Sequence, residues 1–331
     1  MNNIFLVTGG AGFIGSHLAE ALLERNNRVI VVDDLSTGRL QNVAHLMKDP
    51  RLEFVQGSVL DRSIMRDLVE RATAIYHLAA VVGVELAIAS AVRTAQVNFL
   101  GTEVVLELAA QRRKPVLITS TSEVYGKSQD LPFREDGDLV LGPTNRGRWA
   151  YACSKALDEF LALGYHHERR LPVVIVRLFN TVGPRQSDRY GMVLPRFVRQ
   201  ALCGQPITVY GSGRQSRCFA YVGDIVSAIV PLILKKDAYG SVFNIGSQDE
   251  ISIGELAALV KRRLGSDSEI SFTPYSSAYD ERYEDMPRRM PDIERIRAMV
   301  GFEPRLRLEE IIDLIAEEVR TAMRTDRTRT G

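Results

Sequence analysis

The sequence predicts an α/β protein, a doubly wound parallel sheet followed by a smaller α/β C-terminal lobe. Three observations carry that prediction. Short apolar segments alternate with helical patterns from residue 4 to about residue 180. The first of them breaks into Thr8-Gly9-Gly10-Ala11-Gly12-Phe13-Ile14-Gly15, a glycine cluster that opens a helix. The second, residues 28–32, ends in an acid, Asp33. Strands alternating with helices specify a parallel sheet with right-handed crossovers, and such sheets bind ligands at the carboxyl ends of their strands.

Glycines at a strand-to-helix turn let backbone approach a pyrophosphate closely, and its charge then rests on the helix N-terminus. Gly9, Gly12, Phe13, Ile14 and Gly15 are therefore candidate cofactor-binding residues. Asp33 is placed to accept hydrogen bonds from both ribose hydroxyls and would repel a 2′-phosphate, so NAD is expected over NADP despite Arg39 nearby.

The rhythm continues along the chain. Residues 52–55 read as a strand ending at Gly57-Ser58-Val59, and 64–69 as part of a helix. Residues 74–80, Ala-Ile-Tyr-His-Leu-Ala-Ala, read as a strand whose end faces the cofactor. A helix over 94–110 contains Asn98, and the strand at 116–120 delivers Thr121, Ser122 and Glu123 to its carboxyl end. A further strand, 173–178, ends at Phe179-Asn180. After Asn180 the pattern changes. Gly183-Pro184-Arg185-Gln186 opens a loop, 195–202 is helical, and 207–213 is a short strand and turn. A helix near 224–234 and a strand at 242–245 return to the first domain. The expected division is thus 1–180 with 221–247 for the cofactor domain, and 181–220 with 248–322 for the smaller lobe. Residues 323–331 lack apolar periodicity and are expected to be a disordered tail.

Composition narrows the function classes. The 331 residues are 45% hydrophobic and 25% charged, with net charge +1. No basic stripe asks for nucleic acid, no apolar run approaches a membrane span, and no signal-peptide pattern precedes the first strand. The three cysteines, Cys153, Cys203 and Cys218, lack metal-ligand spacing and fit a reduced cytoplasm. No metal is expected.

Tyr151 and Lys155 stand four positions apart at the start of a helical pattern, so they share one face. A free phenol has a pKa of about 10, and a neighbouring ammonium or a nicotinamide cation favours the phenolate. Tyr151 is a candidate general base with Lys155 as its tuner. The pattern by itself also fits an ordinary helix surface. Its weight comes from the motifs around it.

Taken in order, TGGAGFIG, Asp33, His77-Leu78-Ala79-Ala80, STSEVYG, the Tyr151/Lys155 pair, Asn180 and Gly183-Pro184-Arg185 resemble the extended short-chain dehydrogenase/reductase family, whose members modify nucleotide-sugars. The resemblance covers nearly the whole chain. It implies a tightly held NAD, contacted also by Ser58, Val59, Leu78, Ala79, Ala80 and Asn98. It implies Thr121 hydrogen-bonded to the reacting sugar hydroxyl, and Ser122, Asn180, Arg185, Thr208, Tyr210, Arg217 and Arg289 as substrate-binding residues. A homodimer through the helices at 94–110 and 151–168 is implied as well. Ser58 departs from the pattern, since many members carry Asp there to help hold adenine.

Glu123 and Arg289 discriminate among branches. A glutamate two positions after the Thr occurs in 4,6-dehydratases and in UDP-glucuronate decarboxylases. Arg146-Gly147-Arg148-Trp149-Ala150-Tyr151, Ser216-Arg217-Cys218-Phe219 and residues 283–293 resemble the decarboxylase and UDP-apiose synthase branch. There the arginine before the x-Pro-Asp/Ser-Ile run lies in the active site. The expectation is a UDP-glucuronate decarboxylase, with Arg289 orienting the carboxylate and Glu123 or its water returning a proton at C5. A UDP-sugar or UDP-uronate 4-epimerase, a 4,6-dehydratase, and a non-catalytic NAD-sensing protein are the alternatives.

Overall fold

The computed structural model describes residues 3–83, 89–188, 192–275 and 284–330. Its central sheet has seven strands: β1 (Ile4–Thr8), β2 (Arg28–Asp33), β3 (Leu52–Gln56), β4 (Ala74–His77), β5 (Val116–Thr121), β6 (Val173–Leu178) and β11 (Ser241–Ile245). They are parallel and lie in the order β11-β6-β5-β4-β1-β2-β3. The order reverses between β1 and β4, which opens a crevice at their carboxyl ends.

The strands are near-continuous apolar runs because both faces of the sheet are covered. Phe5 and Val7 pack on one side with Leu18 and Leu22 of α1 (Phe13–Glu24) and Ile225 and Ile229 of α6 (Val222–Leu232). Leu6, between them, faces the other side with Met65 and Leu68 of α2 (Arg62–Arg71) and Val105 and Leu108 of α3 (Ala91–Ala110). That alternation is the period of two of a pleated strand. Beside α3 runs α4 (Arg148–Arg169), which carries Tyr151 and Lys155.

The smaller lobe is built from two-stranded pieces and helices. β7 (Thr181–Val182) pairs with β10 (Ala220–Tyr221), β8 (Ile207–Tyr210) with β13 (Ile270–Thr273), and β9 (Ser216–Cys218) with β12 (Glu250–Ser252). Leu194, Phe197 and Val198 of α5 (Val193–Leu202), Leu256 and Val260 of α7 (Ile253–Arg263), and Ile312 and Ile315 of α9 (Leu308–Thr330) close its core. A reciprocal capping box between Ser252 and Glu255 starts α7. A short helix, α8 (Glu294–Val300), precedes α9.

After the first part of the smaller lobe the chain returns to the central sheet, where β11 pairs with β6 at the edge. The last element is α9. Its backbone stays helical through Thr330, because neither Pro nor Gly interrupts the run from Leu308. Tyr283, part of the 283–293 motif, lies outside the described residues.

Candidate active site

A cleft of roughly 440 Å³ runs from the glycine turn to the smaller lobe. At one end Gly9 adopts φ +69°, and a Cβ there would meet the Ala79 backbone at 2.8 Å. A Cβ on Gly15 would stand 2.3 Å from the Gly9 carbonyl oxygen, so helix and turn close only on glycine. Gly12 precedes α1, and no side chain caps the helix's first amides. Those amides and the helix dipole are suited to an anion.

Asp33 ends β2 and is buried. Its Oδ2 accepts from the Ala11 amide at 2.9 Å and its Oδ1 from the Leu35 amide at 2.8 Å. Burial raises its pKa, and these amides offset part of the rise. A Cβ on Gly38 would sit 2.7 Å from this carboxylate, so glycine keeps the space beside it open. Phe13, Ile14, Ser58, Val59, Leu78, Ala79 and Ala80 line the same end of the cleft. The open space beside Asp33 and the uncapped α1 fit an adenosine ribose and a pyrophosphate. Asn98 does not line the cleft. Its amide side chain is buried, accepting from the Val81 amide at 2.7 Å and donating to Ser154 Oγ at 3.1 Å, so it fixes the loop after Ala80.

Farther along, β5 ends in Thr121, whose side chain accepts from the Glu123 amide and starts a 3-10 turn that buries Ser122 and Glu123. The Thr121 hydroxyl also bonds the Tyr151 phenol. Burial, then the Glu123 carboxylate, push that phenol well above its ordinary pKa, and the Thr121 bond offsets part of this. Lys155 lines the same cleft one helical turn beyond Tyr151. Its ammonium bonds Asp158 at 2.9 Å, and both side chains are buried.

Beyond Glu123 stand three arginines. Arg289 lies 3.5 Å and Arg148 3.7 Å from Glu123 Oε1. Asp285 binds Arg217 at 2.8 Å and Arg148 at 3.2 Å, and accepts from the Tyr275 hydroxyl at 2.7 Å. With two carboxylates for three guanidiniums the cluster carries one excess positive charge. Burial first, then Arg217, push Arg289 down to about 9, so it remains a cation at neutral pH. Among the described residues, Ser122 Oγ, Glu123 Oε2, Asn180 Oδ1 and Arg289 Nε are buried without a protein hydrogen-bond partner, and all four side chains line the cleft. Buried polar atoms of this kind mark where a polar ligand binds.

One substrate-lobe expectation is corrected. Thr208 does not reach the cleft, because its amide and hydroxyl bond the Gln200 side chain of α5. Arg185 lines the cleft as expected; its Nη2 is engaged by Glu20 of α1 at 2.6 Å, an ion pair linking the lobe's entry loop to the central domain, and its buried Nη1 has no protein partner among the described residues. Tyr210 and Arg217 do line the cleft. Arg148, Asp285, Gln215 and Tyr275 were not among the expected site residues and also line it. Arg148 precedes Tyr151 by three positions on α4, and that helical spacing was the signal available for it.

Comparison with known proteins agrees with this geometry. A family model described as GDP-mannose 4,6 dehydratase matches residues 6–315. The UDP-N-acetyl-alpha-D-glucosaminuronate decarboxylase of Bacillus cytotoxicus is 42% identical over 306 residues, covering 92% of this chain and 94% of that protein. UDP-glucuronic acid decarboxylase 1 of Arabidopsis thaliana is 36% identical over 315 residues, covering 95% of this chain and 69% of the relative. The structure of a UDP-glucuronic acid 4-epimerase from Bacillus cereus, in complex with UDP-glucuronic acid and NAD, superposes with a TM-score of 0.86 at 27% identity, covering 96% of this chain and 99% of the other. With a family model matched over most of its length and relatives of this identity, the chain belongs to the GDP-mannose 4,6-dehydratase family of extended short-chain dehydrogenase/reductases.

Proposed function

We propose that the chain is an NAD-dependent UDP-glucuronate decarboxylase. The observation that carries this reading is the pair of buried arginines, Arg289 and Arg148, flanking Glu123 beside Thr121 and Tyr151. Asp285 pairs with Arg217 and Arg148, which leaves Arg289, held among the described residues only by Glu123 at 3.5 Å, to take a C6 carboxylate that a neutral sugar lacks. Two relatives are named as decarboxylases of UDP-uronates, which supports the same choice.

The turn at Gly9, Gly12 and Gly15, with Asp33, would hold NAD, which when bound takes hydride from C4 of the sugar. The chain's own groups do the rest. Tyr151 receives the C4 hydroxyl proton, and Thr121 orients that hydroxyl. The resulting ketone lies β to the carboxylate. Arg289 holds the carboxylate through charge-assisted hydrogen bonds. When the C5–C6 bond breaks, its electron pair passes to the C4 oxygen as an enolate and carbon dioxide leaves. The same positive cluster and the Thr121 hydroxyl stabilise that oxygen. A proton from solvent, relayed through a water on Glu123 or through Glu123 itself, then reaches C5. Asn180 and Arg217 serve the diphosphate in this reading.

Residues 1–180 with 221–247 act as the cofactor domain and the remainder as the sugar-nucleotide lobe. α3 and α4 expose Val92, Leu100, Leu157 and Phe160, an apolar face suited to a second copy; light scattering tests the homodimer. No helix among the described residues is long and apolar enough to cross a membrane, in keeping with a cytoplasmic enzyme.

Incubation with NAD and a panel of nucleotide-sugars, with products weighed by mass spectrometry, tests the reaction. The panel includes UDP-glucuronate and its 2-acetamido counterpart, since the relative at 42% identity is named for the latter. Loss of carbon dioxide supports the proposal. Unchanged mass with inverted C4 would make the chain a 4-epimerase, and loss of water a dehydratase.

A further inference from the structure

The buried polar groups behind Lys155 are not used by the mechanism above, and they form a connected series. Asp158 lies one turn beyond Lys155 on α4, on the side away from Tyr151 along the helix, and its Oδ2 takes the Lys155 ammonium at 2.9 Å. Both are buried, Asp158 completely. The Thr102 hydroxyl of α3 faces the same carboxylate and favours its charged form. Thr102 Oγ1 is 3.1 Å from Nε2 of His77, and Nδ1 of His77 is 2.8 Å from Thr8 Oγ1. Burial holds His77 down to about 3, so the ring is neutral. One arrangement of protons satisfies every bond. Thr8 donates to Nδ1 and accepts from the Leu78 and Ala79 amides, Nε2–H donates to Thr102, and the Thr102 hydroxyl proton is left to face Asp158, whose buried Oδ1 has no other partner among the described residues. The series begins one residue before the glycine turn and ends on the ammonium beside the catalytic phenol.

We propose that Asp158 is a positioning residue for the reaction, which anchors the Lys155 ammonium, neutralises its charge and thereby sets how readily Tyr151 gives up its proton, with Thr102, His77 and Thr8 fixing that anchor to the cofactor turn. A buried ammonium paired at 2.9 Å with a carboxylate presents little net charge to a third group. The electrostatics around Tyr151 agree. Glu123 and Asp158 both oppose its ionisation, and Arg289 favours it. The groups facing Asp158 are Lys155 and Glu159 from α4, Thr102 from α3, and His77 of β4 behind Thr102. Replacing the carboxylate by an amide keeps an acceptor for Lys155 while removing the negative charge. The ammonium stays and its charge is unmasked, so phenolate forms more easily.

The proposal rests on Tyr151 being the base, and its test separates the two ideas. In NAD-loaded enzyme the Tyr151 phenolate is titrated by ultraviolet difference spectroscopy, with Tyr151→Phe as the subtraction, alongside the pH profile of kcat/KM. The phenolate signal does not depend on which sugar is turned over, whereas the profile does. Asp158→Asn is expected to move both the titration and the acid limb to lower pH by about one unit. Asp158→Glu is expected to return both to the wild-type position. Should Asp158→Asn not fold, Thr102→Val removes a bond that favours the charged carboxylate, and moves both in the same direction by less. A titration and limb superimposable on wild type, or displaced to higher pH, in the folded variant would overturn the proposal.

Discussion

The Glu123 carboxylate and the Arg289 guanidinium, 166 residues apart in sequence, stand 3.5 Å apart in the cleft. One comes from the end of a central strand and the other from the segment before α8, so the smaller lobe brings the cation to the acid. Arg289→Ala is expected to impair UDP-glucuronate far more than the binding of a neutral UDP-hexose. Removing one partner of a buried charge pair costs about 2–5 kcal/mol, which steady-state kinetics and calorimetry resolve. Equal losses for both ligands would reduce Arg289 to a diphosphate clamp. Arg289→Lys is expected to recover little, since an ammonium cannot present the planar fork of a guanidinium.

Tyr151→Phe removes the phenolic oxygen and leaves the ring among its neighbours. C4 oxidation, followed as NADH appearance in stopped flow, is expected to fall by about 10²–10⁴-fold, with NAD affinity nearly unchanged. Because burial and Glu123 raise the phenol's pKa, proton release limits the wild-type rate at low pH, and the rate climbs as pH rises. Near-normal turnover in the variant would take Tyr151 out of the mechanism.

Asp33→Ala is expected to weaken NAD binding and narrow the preference against NADP. The carboxylate accepts from the Ala11 and Leu35 amides, and hydrogen bonds to a charged group contribute about 1.5–3 kcal/mol each. Loosening of the glycine turn therefore adds to the lost ribose contact. Titration with both cofactors checks this; unchanged affinity for each would show that the acid serves only the turn.

Much of this arrangement was legible in the sequence because it is local. The strand, glycines, helix, strand and acid from Ile4 to Asp33 lie within one short segment, and each has a recognised backbone requirement. Tyr151 and Lys155 lie on one helical face. Other features depend on contacts between distant segments. Arg148 and Asp285 meet only when α4 packs against the chain before α8. Thr208 shares a strand face with Tyr210, and period-two reasoning treats them alike; Gln200 of α5 takes the first and leaves the second in the cleft. Lys155 reads as a tuner beside Tyr151, but its pairing with Asp158, an ordinary helix residue in sequence, is not legible there.

Behind the site, Arg177 of β6 and Glu159 of α4 form a buried ion pair at 2.7 Å, and Glu159 also accepts from Ser120. Glu159→Ala leaves a buried guanidinium unpaired beneath the strand that carries Thr121. It is expected to destabilise the protein by about 3–5 kcal/mol, read as a lower denaturant midpoint. A change within error would show that water reaches Arg177.

The central claim is that the sugar's C6 carboxylate leaves as carbon dioxide after oxidation at C4. UDP-glucuronate carrying an isotopic label in that carboxylate, incubated with the enzyme and NAD, puts the question directly. The account predicts labelled carbon dioxide in step with substrate loss, none of it formed by Tyr151→Phe, and little by Arg289→Ala. A product that keeps the label while its C4 configuration inverts would contradict the account.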